Sequence, residues 1–132
     1  MTDIENYLLT RIKHYLETEC PAAHVVSASD RRPTSFPCVA VEITSRRTDT
    51  GFVTSTDEPD PIVIAVSITC FTADKSGARQ AAKELLTKAQ KPLLVKRFLQ
   101  RSYSYPRRDG TGVYRVSTTL EAGYDGDVFY SI

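Results

Sequence analysis

The chain has 132 residues, of which 41% are hydrophobic and 25% charged, with a formal charge of +1. That length suits one domain, residues 1–132, with a core that needs neither disulfides nor metal, and so near-neutral a balance excludes a bulk electrostatic pull toward nucleic acid or membrane. Its three cysteines, Cys20, Cys38 and Cys70, are scattered and odd in number, which suggests neither a disulfide framework nor a zinc spacing.

Met1-Thr2-Asp3 leads directly into an amphipathic run with no basic-then-apolar signal segment, and no apolar run is long enough to cross a bilayer. Synthesis in a reducing cytoplasm is expected. Thr2 and Glu5 have capping-box spacing, and Ile4, Leu8, Ile12, Tyr15 and Leu16 fall on one helical stripe. Cys20-Pro21 stops this helix, because the residue before a proline is pushed out of the helical region. Val25 to Ala28 can form a short strand, and the Asp30 to Ser35 segment is too polar to be more than a connector.

From Phe36 to Ser45 the residues alternate, with Val39, Val41 and Ile43 on one face and Ala40, Glu42 and Thr44 on the other, as in a half-buried strand. Pro37 suits the start of that strand. Arg46 to Pro61 has no sustained period and carries Gly51, Pro59 and Pro61, so it reads as a long loop of the kind that usually serves a function or is disordered. Ile62 to Phe71 is apolar on both faces. Such a strand belongs at the centre of a sheet or under a partner.

A second helix follows, capped by Asp74 or Ser76, with Ala78, Ala81, Ala82, Leu85 and Ala89 as its buried stripe and Pro92 to end or kink it. Phe98 to Tyr105 and Val113 to Tyr124 read as an antiparallel pair. Along the latter, Tyr114, Val116, Thr118, Leu120 and Ala122 face one way and Arg115, Ser117, Thr119 and Glu121 the other. The last residues, from Asp125, form a short tail that is acidic at its start. The order predicts an α+β fold: a mostly antiparallel sheet of four to five strands with two helices on one face.

Chemistry is sparse. The two histidines, His14 and His24, stand apart from any nucleophile turn, and no Gly-x-Ser-x-Gly is present. Glu42 and Glu121 can meet across the sheet, but on an open face they are better read as solvated or paired with Arg115. Lys75-Ser76-Gly77 lacks the spacing that cradles a nucleotide's phosphates and reads as a helix start. Cys38 and Cys70 read as core residues. No enzyme, cofactor or metal site is therefore expected.

Charge segregation is more informative. Arg31-Arg32, Arg46-Arg47 and Arg107-Arg108 fall in expected connectors, while Asp57, Glu58 and Asp60 form an acidic set, with Asp125 and Asp127 beyond. These charges are either solvated loop residues or a head-to-tail interface in which basic loops of one copy meet acidic loops of the next. The interface reading picks out Arg46, Arg47, Asp57, Glu58, Asp60, Arg107 and Arg108. Tyr103, Tyr105 and Arg107 hint at nucleic-acid binding, for which a near-neutral chain without a recognised module gives poor support.

Four stretches carry a resemblance. They are the amphipathic first helix, the lead-in Arg32-Pro33-Thr34-Ser35-Phe36-Pro37-Cys38-Val39-Ala40-Val41-Glu42, the run Phe71-Thr72-Ala73-Asp74-Lys75-Ser76-Gly77-Ala78 between strand and helix, and the final Val113-Tyr114-Arg115-Val116. In this order they resemble the tail-terminator, or tail-completion, proteins of long-tailed (siphovirus-like) bacteriophages. The resemblance implies a ring, a hexamer, at the head-proximal end of the tail tube, in the virion tail at the head–tail junction. There it would end tube growth and join tail to head. It also implies as partners further copies of the chain, the major tail tube protein and a head–tail connector protein, with DNA met only as it passes through the lumen and no membrane. A neck connector or stopper of the same size is the near alternative, and a small cytosolic binding module the distant one.

Overall fold

The computed structural model describes residues 4–27, 36–48, 61–73, 76–108, 113–126 and 128–132. The first helix, α1 (Ile4–Glu19), buries Ile4, Leu8, Ile12 and Leu16, the stripe that its spacing dictates, and Tyr15 packs at its margin. It stops where Cys20 precedes Pro21, with the Cys20 N–H still donating to Leu16 O at 2.8 Å. Thr2, the expected cap, lies outside the described residues.

Among the described residues six strands form one sheet: β1 (His24–Ser27), β2 (Cys38–Thr48), β3 (Ile62–Ala73), β4 (Leu99–Arg108), β5 (Val113–Tyr124) and β6 (Phe129–Tyr130). Their spatial order is β1-β2-β3-β5-β4, with β6 beside β5. All pairs are antiparallel except β1 with β2. The sequence reading of four to five strands fell short because β6 is a two-residue hairpin return in the tail, too short to show a period.

The strand apolar on both faces, β3, is central, between β2 and β5. Its Ile64, Val66, Ile68 and Cys70 join Val116, Leu120 and Ala122 of β5 and the stripes of both helices in one core, so the helices cover one face of the sheet. Here α1 packs against α2 (Ala78–Val95) and over β1 and β2, while α2 lies over β3, β4 and β5. Ala78, Ala82 and Ala89 bring α2 close to the strands, and Leu85, Leu86 and Leu93 fill the remaining space. Ala81, expected in this stripe, is exposed.

The ends of α2 correct two expectations. Neither Asp74 nor Ser76 is shown capping it: the N-cap is Gly77, in the left-handed region at φ 81°, with no side-chain capping bond, and Asp74 lies outside the described residues. A residue without Cβ takes that conformation at no steric cost. Pro92 does not end the helix, which continues to Val95. It ends in a Schellman motif: Phe98 N–H donates to Leu93 O at 3.1 Å and Arg97 N–H to Leu94 O at 3.2 Å. The C′ residue is Arg97 at φ 73°, where a side chain is strained. Arg97→Gly should therefore raise stability by about 1 kcal/mol, read as a higher urea midpoint with unchanged slope.

Gly123 offers a second local test. On β5 it pairs with Tyr130 of β6, and any Cβ there would collide with the Tyr130 ring. Gly123→Ala should cost about 1–3 kcal/mol by overpacking. Tyr130→Ala in the same chain should recover part of that loss in a thermal melt.

Candidate interface surfaces

Among the described residues no element covers the sheet face away from the helices. Strand register arranges it in ranks. Two ranks carry small hydroxyl side chains across three strands, Ser67–Thr119–Ser102 and Thr69–Ser117–Ser104, in the order β3, β5, β4. Continuing these ranks onto β2 adds Glu42 beside Ser67 and Ala40 beside Thr69. Alternation forces this composition, because the helix-facing positions between them take the large apolar residues.

Charged groups bound the hydroxyl ranks at both ends. At one end Glu121 accepts from Arg47 Nη1 at 3.3 Å and faces Arg101 Nε at 3.5 Å. One half-buried carboxylate thus ties β2 and β4 to β5, with Arg47 reaching over the short Ala65 that sits opposite Glu121 in register. Each exposed pair of this type contributes about 0.2–1 kcal/mol. At the other end Arg115 lies directly opposite Arg107, beyond Phe71 of β3.

Several sequence expectations change here. Arg46 and Arg47 are not loop residues: β2 runs on to Thr48, past a register irregularity between Ile43 and Ser45 that a strict alternation does not anticipate. Arg107 and Arg108 likewise belong to β4, not to a connector. Glu42 and Glu121 do not meet, and Arg115 is not the partner of Glu121. Asp57, Glu58, Asp60 and Asp127 lie outside the described residues. Arg101 and Arg115 are members of this surface that the sequence reading passed over as interface residues. Their signal was present, as single arginines inside the two strands that the sequence predicts.

His14 is exposed on α1, with Nδ1 4.0 Å from Glu17, and His24 is exposed on β1. Among the described residues no group of three His, Cys, Asp or Glu side chains is placed to hold a metal ion, and no helix is long and apolar enough to cross a membrane.

A different surface lies where the start of α1, the end of α2 and β6 meet. Phe129 packs on Tyr124 at 4.7 Å, on Phe98 at 5.1 Å and, nearly parallel, on Tyr7 at 6.2 Å between ring centroids. Beside these rings is an open groove of ≈ 390 Å³ whose lining includes Tyr7, Val95 and Val128, with the cations Lys96 and Arg97.

Cys38 and Cys70 are as buried as their strand positions required and Cys20 is half-buried, none of them in a disulfide. Burial, and secondarily Cys38 and Cys20, push the Cys70 thiol far above its ordinary value of 9.0. The folded chain therefore holds the proton that the unfolded chain releases above about pH 9, so this contribution to stability is complete below that pH and declines as pH rises past it. Cys70→Ala should flatten the alkaline limb of a pH–stability curve. In native protein a thiol reagent should modify Cys20 first and reach Cys70 only on unfolding.

No family model and no curated protein matches the chain. Solved structures do. One is described as "Cryo-EM Structure of an Extracellular Contractile Injection System, PVC sheath/tube terminator in extended state". It aligns with all of this chain at a TM-score of 0.49 and 12% identity. This chain spans 61% of that chain's length. That description belongs to the neighbour, and likeness at this level assigns neither activity nor partners here.

Proposed function

We propose that this chain is a tail-terminator protein: a non-enzymatic assembly subunit that forms a ring, a hexamer, on the last turn of a phage-type tail tube, stops tube growth and receives the head. The reading is supported by the four sequence stretches quoted above and by the elements that hold them, α1, the start of β2, the β3–α2 junction and β5. The single observation that carries it is the form of the uncovered sheet face. A helix-backed sheet presents two flat ranks of hydroxyls between charged ends, a surface suited to subunit packing and without a buried acid, base or nucleophile in it.

Closed rings need two different contacting surfaces per subunit, and this sheet has dissimilar edges, β1 and β4. The experiment is native mass spectrometry of the purified protein with and without isolated tail tubes, followed by imaging. A hexameric ring, free or seated on one tube end, is expected. A monomer that never associates with itself or with tube ends would overturn the reading. The non-enzymatic part has its own check: His14→Ala and His24→Ala should each leave particle assembly near normal.

A further inference from the structure

The groove where the start of α1, the end of α2 and β6 meet is apolar along its floor and cationic at its side. Val95 is 70% exposed and Val128 55%, both on the groove that Tyr7 and Phe129 line with their stacked rings. Apolar side chains gathered in the open like this mark a surface for a partner, and ≈ 390 Å³ is space enough for a short segment of one. Lys96 and Arg97 stand on the same groove, and among the described residues neither side chain has an ion-pair partner. The described carboxylates nearest in sequence to the lining are engaged elsewhere. Glu5 accepts from Ser27 Oγ at 3.2 Å, and Asp125 accepts from the Val128 N–H at 2.9 Å.

Arg97 holds its charge under strain. It is the C′ residue of α2, at φ 73°, where glycine would sit freely. The negative end of the helix favours a cation, but Lys96, one residue earlier at φ −87°, supplies that without strain. What the strained position gains is a guanidinium beside aromatic rings, the combination that anchors protein interfaces.

Charge selects the occupant. A second copy is a poor fit, because the exposed Leu99, Tyr103 and Tyr105 lie on β4, whose ionised side chains, Arg101, Arg107 and Arg108, are all cations. We propose that the groove docks a short segment of another protein in which apolar side chains are flanked by carboxylates, the apolar groups resting on Tyr7, Val95 and Phe129 and the carboxylates against Lys96 and Arg97. The contact uses none of the hydroxyl ranks of the uncovered sheet face, so it holds whether or not the chain forms a ring.

Two pools of acetylated, amidated hexapeptides test it. Both place Leu, Ile, Phe or Tyr between charged neighbours, Asp and Glu in one pool and Lys and Arg in the other. On the immobilised full chain, acidic peptides should be retained at least fivefold above basic ones, with the preference lost in high salt. In solution they should shift the backbone amide NMR signals of Val95, Arg97 and Val128. Arg97→Gly should reduce retention at least fivefold while raising the urea midpoint, so the loss is not one of folding, and Arg97→Lys should keep most of it. Val95→Glu, at an exposed position, should abolish it. Equal retention of the two pools, no retention of either, or retention unchanged by Arg97→Gly overturns the proposal. So do the same shifts produced by a single-stranded oligothymidylate, which would make the groove a nucleic-acid site, or by concentrating the chain alone, which would make it a contact between copies.

Discussion

Ile12→Ala and Leu120→Ala are each expected to lower stability by about 2–5 kcal/mol, the cost of a cavity under a helix-covered sheet. Both side chains are fully buried, Ile12 on α1 and Leu120 on β5, in the single core that joins the helices to the strands. For a domain whose whole stability is about 5–15 kcal/mol, either loss is a large share. At about 4 °C per kcal/mol the melting temperature should fall by about 8–20 °C. Ser117→Ala and Thr119→Ala, on the uncovered face, should stay within about 0.5 kcal/mol. Paired thermal and urea melts decide it: equal losses on both faces would mean that the hydroxyl ranks are buried in the folded unit.

Deleting residues 52–58 should do the opposite, sparing the fold and removing the assembly. Loop closure depends only weakly on length, so the melting temperature should move by no more than a few degrees. Infectious-particle yield in a complementation assay should fall at least tenfold, because the acidic set Asp57 and Glu58 is lost with the segment. Normal yield from the shortened chain would make the segment surplus to assembly. A large fall in melting temperature would instead give it a place in the chain's own core.

The core was legible because two periods are written plainly in the chain. The 3.6-residue stripe Ile4-Leu8-Ile12-Leu16 and the two-residue alternation through Val116-Thr118-Leu120-Ala122 can each bury their apolar side in only one way. The central place of β3 followed from its apolar residues on both faces. What escaped the sequence reading had weaker local causes. β2 runs through Arg46-Arg47-Thr48 because β3 supplies ladder partners that no local signal announces. β4 keeps Pro106 and Arg107 because an edge strand tolerates irregular register and a missing donor. β6 is held by the packing of Phe129 and Tyr130 and not by its own propensity.

The candidate surface was half legible. Arginine pairs were visible, but their partners depend on register: Arg47 is engaged by Glu121 of its own chain, whereas Arg107 is set against Arg115. Reversing Arg47 to glutamate should therefore weaken the monomer slightly by loss of an exposed pair, about 0.2–1 kcal/mol, while reversing Arg107 should act on association and its salt dependence. Chemical denaturation of each variant beside its sedimentation profile separates the two effects.

The central claim, that this chain ends tail growth, is tested most directly by tail length. The gene is deleted from the genome that encodes it, and any tails formed are measured by electron microscopy, with the purified protein added back. Tubes overgrown past their normal length and without heads, corrected by the added protein, are the predicted result. Headless tails of normal length would contradict it and turn the assignment to the neck connector.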